Sequence, residues 1–193
     1  MSLREENLNV LLAELLAEKG LKALGEVILR KKSGRAEPDV LLELNGVRIV
    51  IEGKKPGMWD TLIEQCNKRL DENICDLCVI VEYADVKVNN LVPTQLDVKN
   101  ALLRGKFNVG FLSYVDRAGL DKWLGVTSKS EKYIEVSFDE LLTYLMSAYS
   151  RVIKEDIVEP VINRMNDVLN DFAAEISTSI NVERLRQVLE LER

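Results

Sequence analysis

Pro38-Asp39-Val40-Leu41-Leu42-Glu43-Leu44-Asn45-Gly46-Val47-Arg48-Ile49-Val50-Ile51-Glu52-Gly53-Lys54 is the stretch that decides the fold. Asn-Gly between two apolar runs is the strongest short-range hairpin signal, because both residues tolerate the positive φ of a type I′ turn. A two-residue loop at Asn45-Gly46 pairs Leu44 with Val47, so cross-strand partners carry numbers that sum to 91. Asp39 then lies opposite Glu52. Side chains alternate along a strand, so Lys54 shares the face of Glu52 while Lys55 points away.

The same register sorts the remaining residues. Val40/Ile51, Leu42/Ile49 and Leu44/Val47 make one apolar face, and Leu41/Val50, Glu43/Arg48 and Asp39/Glu52 make the other. Like charges set directly opposite one another cost up to ~1 kcal/mol. Two carboxylates roughly 5 Å apart at Cβ therefore call for a shared proton or a cation. Hard oxygen ligands of this kind suit Mg²⁺, with Mn²⁺ substituting, and several waters retained.

Outward from the hairpin, the periodicity predicts a helix over residues 3–19, with Leu8, Leu11, Leu12, Leu15 and Leu16 on one stripe and Gly20 as its stop. Leu24–Arg30 reads as a strand. Beyond the hairpin, Pro56-Gly57 ends the second strand and Trp59–Asn73 reads as a helix with Leu62, Cys66 and Leu70 inward. Leu77–Tyr83 is apolar throughout, as a buried central strand requires. Thr94-x-x-Asp97 opens a helix to Arg104 with a capping-box pattern, and Phe107–Val115 reads as another strand. Ser137-Phe138-Asp139-Glu140 opens a helix to about Ile153, and a long helix follows from about Glu155 to Glu175. Ser177-Thr178-Ser179 is expected to break it, with Asn181–Arg193 charged and helical. An antiparallel start followed by α/β alternation predicts an α/β fold with a mixed central sheet covered by helices on both faces. Residues 1–136 form the expected core. Residues 137–193 form a helical extension or connector, expected to lead to further domains in a longer protein.

Composition bounds the chemistry. The chain has 193 residues, 47% hydrophobic and 30% charged, which are globular values. It has no histidine. That excludes His-based acid–base chemistry, Ser-His-Asp and Cys-His nucleophile systems, and His-ligated zinc. Any hydrolysis must run on carboxylates, lysine and metal. Cys75-Asp-Leu-Cys78 is a lone CxxC, and with Cys66 the three cysteines read as core residues of a reducing compartment. No apolar run approaches the ~18 residues of a membrane span, and no signal-peptide pattern is visible. The expectation is a soluble, cytoplasmic protein without a membrane partner. The net charge of −6 argues against a nucleic-acid partner, but its distribution softens that: residues 22–55 hold eight Lys or Arg against five Asp or Glu. Lys31, Lys32 and Arg35, with Lys55, are the candidate phosphate contacts.

The residues Pro38-Asp39 … Glu52-Gly53-Lys54, and the element order around them, resemble the PD-(D/E)XK nuclease superfamily over about the first 115 residues. The resemblance implies a three-layer α/β/α restriction-endonuclease-like core. It also implies Asp39, Glu52 and the Gly53 carbonyl as metal ligands, with Lys54 handling the attacking water and the phosphate charge. Many members add an acid from the first helix, for which Glu6 is preferred here to Glu5, and several add a glutamine after the motif, matched by Gln65. Val50-Ile51-Glu52-Gly53-Lys54-Lys55-Pro56-Gly57 looks most like the N-terminal nuclease domains of restriction–modification enzymes. The implied function is a Mg²⁺-dependent DNA endonuclease, with methyltransferase and target-recognition modules downstream and a homodimer for cutting two strands. The alternatives are a stand-alone repair or junction nuclease, and a non-catalytic nucleic-acid or protein interaction module on the same fold.

Overall fold

A computed structural model describes residues 4–31, 34–88, 92–114 and 133–179. The described chain runs α1 (Glu5–Glu18), β1 (Lys22–Gly25), β2 (Leu29–Lys31), β3 (Gly34–Ala36), β4 (Val40–Leu44), β5 (Val47–Lys54), α2 (Trp59–Asp71), β6 (Leu77–Glu82), α3 (Gln95–Arg104), β7 (Phe107–Ser113), β8 (Ile134–Val136) and α4 (Phe138–Val152). A π-helical stretch (Ile153–Val158) and α5 (Glu159–Ser179) follow. Six strands form one mixed sheet in the order β1-β4-β5-β6-β7-β8, and β2 and β3 form a separate ribbon. Only β5 and β6 are parallel, joined by the α2 crossover, and the other neighbours in the six-stranded sheet are antiparallel.

The hairpin forms in the register its turn dictates, from Leu44↔Val47 to Val40↔Ile51. Asn45 and Gly46 take φ values of +49° and +86°, the two positive values a type I′ turn needs. Both of its faces are buried along β5, while Glu43 near the turn is exposed. Val50 joins Leu62, Cys66 and Leu70 of α2, with Cys78 and Ile80 of β6, in one core cluster. The alternate residues Val40, Leu42, Ile49 and Ile51 are equally buried on the opposite face, where α1 packs on β1, β4 and β5 and α4 packs on β6 and β7. Helices therefore cover both faces, which is why β5 and β6 read as near-continuous apolar runs.

Several boundaries differ from expectation, each for a visible reason. The strand expected over Leu24–Arg30 is divided between β1 and β2 at Glu26, which takes φ +51°. There the N–H groups of Glu26 and Val27 donate to the carbonyls of Asp39 (2.7 Å) and Pro38 (3.3 Å). Pro38 has no N–H to return, so the ladder ends. The Ser177–Ser179 stretch continues α5 instead of breaking it, and Ser177 Oγ donates back to the Ala173 carbonyl at 2.8 Å. Pro160 stands second in α5, where a missing N–H is tolerated, with the π-helical turn immediately before it. The division between compact units falls after Val152 and not at residue 136. Phe138, Leu141, Leu145, Ala148 and Val152 are buried, so α4 belongs with the sheet. Both capping boxes form, Thr94 with Asp97 and Ser137 with Glu140.

The cysteine reading is corrected in one respect: Cys66 on α2 and Cys78 on β6 form a disulfide, and Cys75 alone is free and buried. Burial, then the neighbouring Asp76 charge, pushes the Cys75 thiol up to about 12. Among the described residues no helix is long and apolar enough to cross a membrane. The segment expected to be helical after Asn181 lies outside the described residues.

Candidate active site at the carboxyl ends of the parallel strands

Asp39 immediately precedes β4, and Glu52, Gly53 and Lys54 close β5. Both strand ends meet beside the end of β6, at the carboxyl ends of the parallel pair, where α/β sheets commonly place ligands. The Gly53 N–H donates to Asp39 Oδ2 at 2.8 Å and fixes that carboxylate against β5. Glu52 is 1% exposed. Burial first, then the Asp39 charge, pushes the Glu52 carboxyl up to about 7, despite the opposing Arg69 and Lys54 charges. Burial also raises Asp39, against the Gly53 N–H and Lys54. Of the two carboxyls, Glu52 is therefore the one that burial and its neighbour drive toward the protonated form.

Arg69, in the last turn of α2, was not anticipated. Its Nε donates to Glu52 Oε1 at 2.5 Å and its Nη2 to the Glu37 carbonyl at 2.7 Å. Arg69 follows Gln65 by one helical turn and adjoins the buried Cys66 and Leu70, so the α2 stripe itself was the available signal. Gln65 Oε1 is buried and has no hydrogen-bond partner among the described residues.

The first helix contributes through Glu5. Its Oε2 lies 3.8 Å from Lys54 Nζ, and its Oε1 accepts the Lys55 N–H at 3.2 Å. Glu6 is exposed, and its charge acts on Glu26. Asn9 was likewise unanticipated, although a polar residue inside the Leu8–Leu16 stripe was a sequence signal. It accepts from the Tyr83 hydroxyl at 2.6 Å and donates to Glu26 Oε1 at 3.1 Å. Glu26 is raised by burial, with Asp39 and Glu6 adding to the shift against the Asn9 hydrogen bond. Gly53 makes this network possible, because a Cβ there would collide with Asn9 Oδ1 and the Tyr83 hydroxyl.

The geometry thus brings together Asp39, Glu52, Gly53 and Lys54, with Glu5, Glu26 and Arg69 around them. Lys55 is half-buried beside Glu5. Lys32 and the side chains of Lys31 and Arg35 lie outside the described residues. Among the described residues no group of three or more His, Cys, Asp or Glu converges as a metal site. The buried Glu52 and half-buried Asp39 nevertheless fit Mg²⁺, which binds through one or two carboxylates and keeps its other waters. Comparisons with family models, curated proteins and solved structures yield no match.

Proposed function

We propose that this chain is a Mg²⁺-dependent DNA endonuclease domain built on a three-layer α/β/α restriction-endonuclease-like core, as the cleavage module of a restriction–modification enzyme. One observation carries the reading: Asp39, just ahead of β4 and held by the Gly53 N–H, and the buried Glu52 of β5 lie at one end of the sheet with Lys54. A buried carboxylate with a second one beside it is a site that a divalent cation stabilises.

Asp39, Glu52 and the Gly53 carbonyl would hold the ion, which supplies an activated water and Lewis-acid stabilisation of the phosphate. The Gly53 N–H keeps Asp39 oriented for that role. Lys54 is positioned to hold the attacking water and to offset the charge that develops on the phosphoryl oxygens. The water oxygen bonds to phosphorus as the P–O bond to the leaving oxygen breaks, and a proton restores that oxygen to a hydroxyl. Glu5, beside Lys54, orients its ammonium group.

Nicking of supercoiled plasmid in Mn²⁺ tests the proposal, with Asp39→Ala and Lys54→Ala alongside. The expected result is metal-dependent nicking by wild type that both variants lose. A wild type that neither cuts nor gains thermal stability from Mn²⁺ relative to Asp39→Ala would sink it. A second reading, a non-catalytic nucleic-acid or protein interaction module, is favoured by the Arg69–Glu52 ion pair, which already neutralises the central carboxylate. The same Mn²⁺ measurement decides between them.

A further inference from the structure

Arg69 carries a geometry that the proposed function does not use. Its side chain is only 12% exposed, and it joins Glu52 on β5 to the Glu37 carbonyl just ahead of Asp39. One guanidinium thus ties together the two chain segments that bear the carboxylates, and its charge reaches Asp39 as well. Asp39, Glu52 and Glu5, when ionised, exceed Arg69 and Lys54 by one charge, so a divalent ion would turn that into a surplus of one positive charge with Arg69 still in place.

We infer that Arg69 is a displaceable countercation, which holds Glu52 in the metal-free protein and leaves its Oε1 when a divalent ion binds. This rests on the metal-site reading above. Guanidinium and metal compete for the same carboxylate oxygen, and like charges at this range in a buried site repel strongly. Displacement costs the two Arg69 hydrogen bonds. It frees a planar, permanently charged fork suited to a phosphate oxygen pair. Arg69 would then reach the scissile strand only after the metal is in place, making it a positioning residue that orders metal before DNA.

Mn²⁺ binding followed by the loss of the free-ion electron paramagnetic resonance signal, at about pH 8 where Glu52 is ionised, separates the possibilities. Arg69→Gln is expected to bind Mn²⁺ about tenfold more tightly than wild type while the metal-free variant melts lower. Arg69→Lys keeps a charge without the fork and is expected to bind with intermediate affinity. It is the variant to read if Arg69→Gln does not fold. Equal or weaker binding in the Arg69 variants, with binding still abolished by Asp39→Ala, overturns displacement and leaves the metal site standing. Absence of binding in wild type and Arg69→Gln alike removes the metal site, and displacement with it.

Discussion

Replacing Glu52 by glutamine removes a titrating proton while keeping the side chain's shape and an oxygen for the Arg69 N–H. The folded carboxyl titrates near 7 against an ordinary value of 4.5. Between those values the folded protein holds a proton that the unfolded chain has released, so stability falls as pH rises through this window. At about 1.36 kcal/mol per pKa unit, the loss amounts to roughly 3 kcal/mol by pH ~8. Glutamine is neutral throughout and escapes it. Urea unfolding of wild type and Glu52→Gln across about pH 4–8 measures the difference curve, in which titrating groups other than the coupled Asp39 cancel. The variant is expected to match or trail wild type at the acid end and to overtake it progressively, with the gain developing between about pH 5 and 7. Saturating Mn²⁺ at the alkaline end is expected to restore stability to wild type alone. Parallel profiles without metal would show that Glu52 is not held protonated by burial and Asp39, and the argument for a strained carboxylate pair would fail.

Three further perturbations test the surroundings. Gly53→Ala forces a methyl into Asn9 and Tyr83 and is expected to cost about 1–3 kcal/mol in urea unfolding; a neutral effect would show that the network yields freely. Leu62→Ala removes a fully buried side chain from the α2 core cluster and is expected to cost about 2–5 kcal/mol, measured the same way. Reduction of Cys66–Cys78, which spans 12 residues, is expected to lower stability by about 2–3 kcal/mol on the chain-entropy account. Identical urea midpoints with and without reductant would count against the bond.

The parts of the fold that were legible in the sequence were set by local chemistry. Asn45-Gly46 fixed both the turn and the register of β4 and β5, because a two-residue loop with two positive φ values leaves no other pairing. Thr94 and Ser137 marked two helix starts because their hydroxyls reach the third backbone N–H onward within one turn. What was not legible depended on segments distant in sequence. The division at Glu26 is created by Asp39 and Pro38, on the far side of the β2–β3 ribbon. The cysteines read as reduced core residues, yet Cys78 bonds Cys66, which the α2 stripe turns inward onto β6.

The site shows the same limit in sharper form. Opposed carboxylates at Asp39 and Glu52 demand a shared proton or a cation, and sequence alone does not choose between them. The structure supplies a cation, the Arg69 guanidinium on Glu52 Oε1, while burial and the Asp39 charge also push the Glu52 carboxyl up. Neither was readable from the hairpin, because burial of Glu52 is completed by α2 and Arg69 arrives from the last turn of that helix. The choice is a matter of the protein's state, and it has an ordering consequence. A divalent ion must compete with a proton whose hold weakens above pH ~7 and with a guanidinium whose charge never does. Raising the pH therefore removes only the first competitor. Mn²⁺ affinity is expected to climb with pH and level off above about pH 8 in wild type, and the plateau, not the midpoint, is what Arg69→Gln is expected to lift. A plateau shared by both proteins would assign the whole barrier to the proton and leave Arg69 a fixed part of the scaffold.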